Sequence, residues 1–524
     1  MTVHSSTERS EGAAGRPAAL ASIRTLLAEG AYRAALDACE HLRSEGFDRP
    51  VVFRLQGRAH EALGDYAAAL AIAKGVVERR PRNVRARLRL AHCLWRCGEI
   101  DQALAMADAV AESAAGHPGA LLRVGAFYAG AGRLEAAYAA QLRALDLMPE
   151  DPAALTAVAE SATALGHTAI AERYFDRTLF HDPTQRAVLE RRSRLRQRGI
   201  EDHQCLQLGY ALDALERDDP RRAPVAYALA RQLEDLGHHE AAFDIWSEGA
   251  RGRLLALPAK PTWDHHAMAM VQTVFDGPWL TQHQTSAAGQ GRVFLTGLPG
   301  SGLERAAGLL SRWDRCAVSQ EAGLFADAVT RLVGPMEDPV DRMTEAAGID
   351  PESLRAAYEN AANQLAGDAS LHVDGSVTHI WMLGLVRRAL PGAKIIHLRR
   401  DPLDHCFELF TTLFPKGNAW SYDLDALGRH YAGYHQLMGH WRRHLTGGFL
   451  DLDYETLFEA PDAAAEQLRA FIEQPKAEFP EAFSDVDMDT EMPVHGPGIG
   501  RWRQHERALE PLIVQLAEAG IPVR

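Results

Sequence analysis

At 524 residues, 47% of them hydrophobic and 24% charged, the chain is too long for one compact core and too apolar for disorder. Its 70 Asp and Glu against 56 Lys and Arg leave a formal charge of -14, which argues against general binding to nucleic acid or anionic membranes and confines any anion site to a local patch. Six scattered cysteines do not form a secreted-domain framework, and no stretch approaches 18 uncharged apolar residues, so a cytoplasmic protein without export signal or membrane span is expected.

In chain order, residues 1–20 are rich in Ser, Glu, Gly and Arg and are expected to be disordered. From 21 to 250 a helical repeat domain is predicted, because Gly30/Ala35, Gly64/Ala69, Gly98/Ala103, Gly132/Ala137 and Gly166/Ala171 recur with a step of 34 residues. That period is the tetratricopeptide repeat (TPR), two antiparallel helices per unit: the glycine allows the tight turn and the alanine close helix packing. Pro81, Pro149 and Pro183 stop the second helix, while Gly57, Ala91, Gly125 and Ala159 supply a small residue in the first. The turn around Gly237 comes 71 residues after Gly166, room for two slightly long units. Such an array either docks a peptide or protein partner or props up the domain behind it. Cys93 and Cys97 lie four apart on a predicted helix, with no cysteine or histidine set to complete a zinc site, so no metal is expected.

Residues 251–290 form the expected linker, where Pro258 and Pro261 break the helical period and 286–291 read as a flexible approach. From 291 to 524 short β-rich runs alternate with helical ones (292–296, 371–373, 394–398), an α/β pattern implying a mainly parallel sheet with ligands at its carboxyl ends. After the first strand, Gly297 to Gly302 have P-loop glycine spacing, yet Leu303 and Glu304 stand where an NTPase needs Lys and Ser or Thr. Nucleoside triphosphate hydrolysis is therefore not expected. Further on, Asp401 is a good N-cap, Pro402 suits the first helical turn and Asp404 mimics a capping box, which sets Arg399 and Arg400 between a strand end and a helix start. A solvated arginine pair is the plainer reading.

Four stretches carry a resemblance: Gly297 to Glu304, Leu390 to Asp404 (LPGAKIIHLRRDPLD), Asp453 to Leu457 (DYETL) and Gly498 to Arg503 (GIGRWR). Together with the repeats they make the chain similar to bacterial TPR-sulfotransferase proteins, whose sulfotransferase domain resembles tyrosylprotein sulfotransferases. The resemblance implies an N-terminal TPR α-solenoid followed by a P-loop-like α/β sulfotransferase domain that uses 3′-phosphoadenosine 5′-phosphosulfate (PAPS). It also implies sulfuryl transfer to a hydroxyl of a peptide tyrosine or another acceptor, with acceptor or partner docked by the repeats. It maps the 5′-phosphosulfate loop onto Pro299, Gly300, Ser301, Gly302 and Leu303, the 3′-phosphate contacts onto Arg400 and Glu408, and the loop over the nucleotide onto Gly500, Arg501 and Trp502. Glu321 takes the place of the general base, with His379 second; a solvated glutamate and a structural histidine are the alternatives.

The chain departs from the family at Gly300, Leu303 and Glu304, which replace a cation and two hydroxyls, and at Gly375 and Glu408, which replace a lysine and a serine. Weak PAPS binding is the expectation, and the alternative function is a non-catalytic TPR adaptor with a degenerate sulfotransferase domain.

Overall fold

The computed structural model describes residues 7–523 except 183–184, 202–203, 218, 258–264, 282–286, 337, 446 and 473–497; Pro183, Pro258, Pro261 and Ser286 thus lie outside the described residues. The chain divides into two compact units. One contains the helices up to residue 112 together with those between 324 and 364; the other contains residues 113–257, 262–323 and 365–524.

In the first unit, helices Tyr32–Ser44, Pro50–Leu63, Tyr66–Arg79 and Val84–Arg96 alternate through left-handed turns at Gly64 (φ 88°) and Gly98 (φ 81°). Ala35, Ala69 and Ala91 are fully buried where helices touch, as the repeat spacing demands. The first helix spans Thr7–Glu29 and so begins inside the stretch expected to be disordered. Ile23 and Leu27 anchor it against Ala35 and Cys39 of the next helix.

Three inserted helices, Leu324–Val333, Pro339–Ala346 and Pro351–Ala366, fold onto these repeats. Arg96 reaches the buried Asp327 (Nη1 to Oδ1, 2.9 Å), and Arg331 returns a bond to the Arg96 carbonyl (2.9 Å). The Gly98 carbonyl, left bare by the turn, accepts from Asn360 and Gln364 at 3.1 and 3.0 Å.

The second unit opens with regular pairs, Pro118–Gly130 with Leu134–Leu147 and Pro152–Ala164 with Thr168–His181. Ala137, Ala159 and Ala171 are again fully buried, and a side chain on Gly125 would stand 2.7 Å from Gln141 Cγ. The register then loosens into the short helices Arg186–Ser193 and Cys205–Asp213 before a last full pair, Arg222–Asp235 with His239–Ala256. The stretch read as linker carries helices His265–Val274 and Gly277–Thr281. The former packs on helix Leu424–His444, where Gly433 lets the His265 backbone approach.

A five-stranded sheet comes next: β1 (Arg292–Thr296), β2 (Cys316–Gln320), β3 (Leu371–Gly375), β4 (Lys394–Arg399) and β5 (Phe449–Asp453), in the order β2-β3-β1-β4-β5. Every pairing is parallel, with Leu295 opposite Gly375 on one side and Ile396 on the other. The chain leaves β1 toward β3 and β2, then crosses back to β4 and β5, so the loops after β1 and β4 diverge and leave a crevice at the carboxyl ends. Val293, Leu295, Val373, Ile396 and Leu398 pack beneath helix Leu303–Leu310 to form the core. Among the described residues no helix is long and apolar enough to cross a membrane.

Candidate functional site

The loop after β1 is shaped by its glycines. Gly300 (φ 79°) and Gly302 (φ 92°) are left-handed, and Gly302 caps helix Leu303–Leu310. Gly297 has no room for a side chain: a Cβ would stand 2.8 Å from the Leu398 carbonyl. Ser301 is fully buried, and its hydroxyl has no hydrogen-bond partner. The Pro299 carbonyl accepts from His405 Nε2 at 2.9 Å. Leu303 packs on the core, while Glu304 is exposed in the first helical turn.

Arg400 crosses from this loop to the C-terminal segment. Its guanidinium donates to the Gly300 carbonyl (3.1 Å) and the Gly498 carbonyl (3.3 Å) and lies over the Tyr454 ring, 4.2 Å from its centre. It is buried, so the solvated pair is not what forms; Arg399 is the exposed member, paired with Asp453. Asp401 caps helix Pro402–Phe410 through the Leu403 and Asp404 amides. The reciprocal half of a capping box falls to Glu455, which accepts from the Asp401 amide, because Asp404 turns to the Gly500 amide (2.6 Å) and the Trp502 amide.

Arg501 is saturated by carboxylates. It forms a two-pronged pair with Glu234 (2.7 Å at each contact) and reaches Glu408 at 3.2 Å. Glu234 comes from repeat helix Arg222–Asp235 and also contacts His505 and Arg231. Burial alone would raise the Glu408 pKa, but Arg501, then Arg400, Arg194 and Arg231, pull it down to about 2. Around this cluster Trp246 meets Phe407 edge-on and Phe243 stacks on Phe410, so the last repeat pair packs directly on the helix that carries Glu408.

The structure therefore brings together Pro299 to Gly302, Arg400, Glu408, Gly500, Arg501 and the buried Trp502. Glu321 sits at the end of β2 in a left-handed conformation (φ 50°), and its carboxylate accepts from the Val377 amide (3.0 Å) and the Ser376 hydroxyl (3.1 Å). His379 is fully enclosed, 3.6 Å from Asp374 and edge-on to Phe294, and burial holds its pKa down near 4.

Sequence reasoning missed Glu234, since nothing in the repeat pattern marks that acid. It also missed a polar chain beside Arg400, in which His397 bridges Asp451 and the Tyr434 hydroxyl (2.5 Å each) and Arg442 pairs with Asp451. A cavity of about 560 Å³ lined by Arg400, Tyr431, Tyr434 and Arg442 opens there. His397 and Asp451 lie opposite each other in the β4–β5 register, a relation that appears only once the strands are paired.

Comparison with known proteins places this geometry. Residues 294–478 match the sulfotransferase family, and residues 61–123 match the tetratricopeptide repeat. A curated but uncharacterized protein of Aquifex aeolicus is 22% identical over an alignment of 321 residues that covers 57% of this chain and 42% of that protein. The chain thus matches less than half the length of this relative. Among solved structures, a thermophilic TPR protein of Thermus thermophilus is 25% identical over 34% of this chain and 96% of its own, with a TM-score of 0.28. A TPR protein of Parabacteroides merdae is 14% identical over 45% of this chain and 92% of its own, also with a TM-score of 0.28. The glycine-and-alanine register, the parallel sheet and these two family matches agree: the chain is a tetratricopeptide-repeat protein with a sulfotransferase-family domain.

Proposed function

We propose that the second unit transfers a sulfuryl group from PAPS to a hydroxyl acceptor, with a peptide or protein partner held by the repeats. The observation that carries this reading is the convergence of the Gly297–Gly302 loop, Arg400 and Arg501 at the carboxyl ends of β1 and β4. The fit to the donor is partial. The partnerless Ser301 hydroxyl, the left-handed loop and the Arg400 guanidinium suit an anionic group, whereas Glu408 occupies the space beside Gly300, its Cγ 3.1 Å from where a Cβ would stand.

When bound, PAPS supplies a sulfuryl group on a phosphate leaving group. Arg400 would hold the phosphate and answer its charge, and Arg501 would do so to the extent that Glu408 releases it. Glu321, oriented by Ser376 and the Val377 amide, would take the proton of the acceptor hydroxyl.

The non-catalytic adaptor is favoured by a different observation, the neutralisation of Arg501 by Glu234 and Glu408. Titration with adenosine 3′,5′-bisphosphate, followed by a mass-shift assay with PAPS and a tyrosine peptide, separates the two. Saturable binding, and transfer that falls by about 100-fold in Glu321→Gln at nearly unchanged nucleotide affinity, supports the enzyme. Failure to bind at millimolar nucleotide overturns it.

A further inference from the structure

Arg194, which follows repeat helix Arg186–Ser193, is held loosely at the carboxyl end of the sheet. Its guanidinium stands 3.7 Å from Glu190 and 3.9 Å from Glu408, both long for an ion pair, and 43% of the side chain is exposed. The two carboxylates on which it acts beyond its own helix border the loop after β1. Glu408 lies beside Gly300, its Cγ 3.1 Å from where a Cβ would stand. Glu304, in the first turn of the helix that follows the loop, is exposed, yet the protein around it raises its pKa, as on the floor of a cleft; Arg194 opposes that rise and Glu321 adds to it.

An anion entering this crevice meets the carboxylates of Glu304, Glu321 and Glu408, so it needs a cation that can be redirected at small cost. Moving Arg400 breaks two hydrogen bonds and a ring contact in a buried place, and moving Arg501 opens a buried two-pronged pair with Glu234. Moving Arg194 gives up two long contacts, and Glu408 is still neutralised by Arg501 and Arg400. Its guanidinium can then turn a planar fork toward two oxygens of a phosphate or sulfate. Glu321, the proposed base, acts on the same Glu304, which puts Arg194 on the side of the reacting group.

We propose that Arg194, supplied by the repeats, is the anion-binding cation for the 5′ end of the nucleotide at the loop after β1. This rests on the reading of the crevice as a PAPS site. Calorimetry on the full chain tests it with adenosine 3′,5′-bisphosphate and with adenosine 5′- and 3′-monophosphate. Arg194→Gln should weaken the bisphosphate and the 5′-monophosphate at least about tenfold while leaving the 3′-monophosphate within about twofold, and Arg194→Lys should recover part of the loss. Glu190→Gln, which removes a carboxylate that competes for Arg194, should keep or tighten binding; a merely structural pair would make it as harmful as Arg194→Gln. If neither monophosphate binds measurably, the bisphosphate and the Glu190→Gln comparison decide. No binding of any nucleotide by the unaltered chain would overturn the PAPS reading and this proposal with it. Binding that is indifferent to Arg194→Gln, equal loss for both monophosphates, or equal loss in Glu190→Gln would overturn this proposal alone.

Discussion

The two ends of the sheet hold their cations in opposite ways. At the carboxyl end Arg501 is met by Glu234 and Glu408, and Arg400 is tied to two backbone carbonyls. At the amino end the buried Arg387 donates to the Pro391 carbonyl, and its Nε and Nη2 have no hydrogen-bond partner. A count of basic residues would rank these ends alike. Counting the partners of the buried arginines separates them: Arg501 meets two carboxylates, whereas Arg387 donates to the Pro391 carbonyl and meets no carboxylate among the described residues.

The sharpest way to break this comparison is to remove Glu234. Arg501 and Glu234 are both largely buried, so Glu234→Ala should cost about 3–5 kcal/mol, read from the urea midpoint of the full chain. A cost below about 1 kcal/mol would mean that water, not the carboxylate, satisfies Arg501.

Acid should act next, through the carboxyl end. Burial first, then Arg400, pushes the His405 pKa down to about 3 from an ordinary 6.5. The unfolded chain takes up this proton below about 6.5 and the folded chain only near 3, so this share of stability is full above 6.5 and is lost as pH falls toward 3. The slope is about 1.4 kcal/mol per pH unit for one such group, and His405→Gln should flatten denaturation midpoints over that window.

Smaller is the effect of Glu408→Ser, which removes a carboxylate from beside Gly300. Affinity for adenosine 3′,5′-bisphosphate should rise at least about tenfold, or about 1.4 kcal/mol, by calorimetry. An unchanged affinity would show that the nucleotide does not approach Gly300. Smallest of all, Arg387→Met should shift stability by less than about 1 kcal/mol or raise it, because it removes a buried charge that no carboxylate among the described residues balances. A large loss at this position would erase the contrast between the two ends.

The repeats were legible because their demands are local. A turn at Gly64 or Gly98 requires positive φ, and a helix contact at Ala69 or Ala91 requires a small residue, so the residue types announce the geometry. β1, β3 and β4 were legible as apolar runs. β2, Cys-Ala-Val-Ser-Gln, and β5, Phe-Leu-Asp-Leu-Asp, were not, since each carries polar residues through the sheet edge. At the site, Arg400 and the loop could be placed from strand-to-helix signals, but Arg501 finds Glu234 across 267 residues of sequence and no pattern spans that distance. The same limit hid the fold of Leu324–Ala366 onto the first repeats: amphipathic helices declare an apolar face, not the surface that covers it. Gly300, marked by sequence as a missing cation, sits at φ 79°, a conformation that disfavours any side chain there.

The interlock of the last repeat pair with the sheet domain bears on how such chains can be recombined. Tyr227 donates to the Phe410 carbonyl, Arg253 to the Phe414 and Pro415 carbonyls, and Glu234 closes on Arg501, so helices Arg222–Asp235 and His239–Ala256 are as much a wall of the sheet domain as an end of the array. Repeats that touch only other repeats can be gained or lost by duplication with only neighbour contacts to mend, unlike the first ones, which hold the inserted helices 324–366. An exchange of domains that cuts at residue 257 would instead strand Arg501 and bare Phe407 and Phe410, so the heritable module begins before Arg222, inside what the repeat pattern alone would assign to the array.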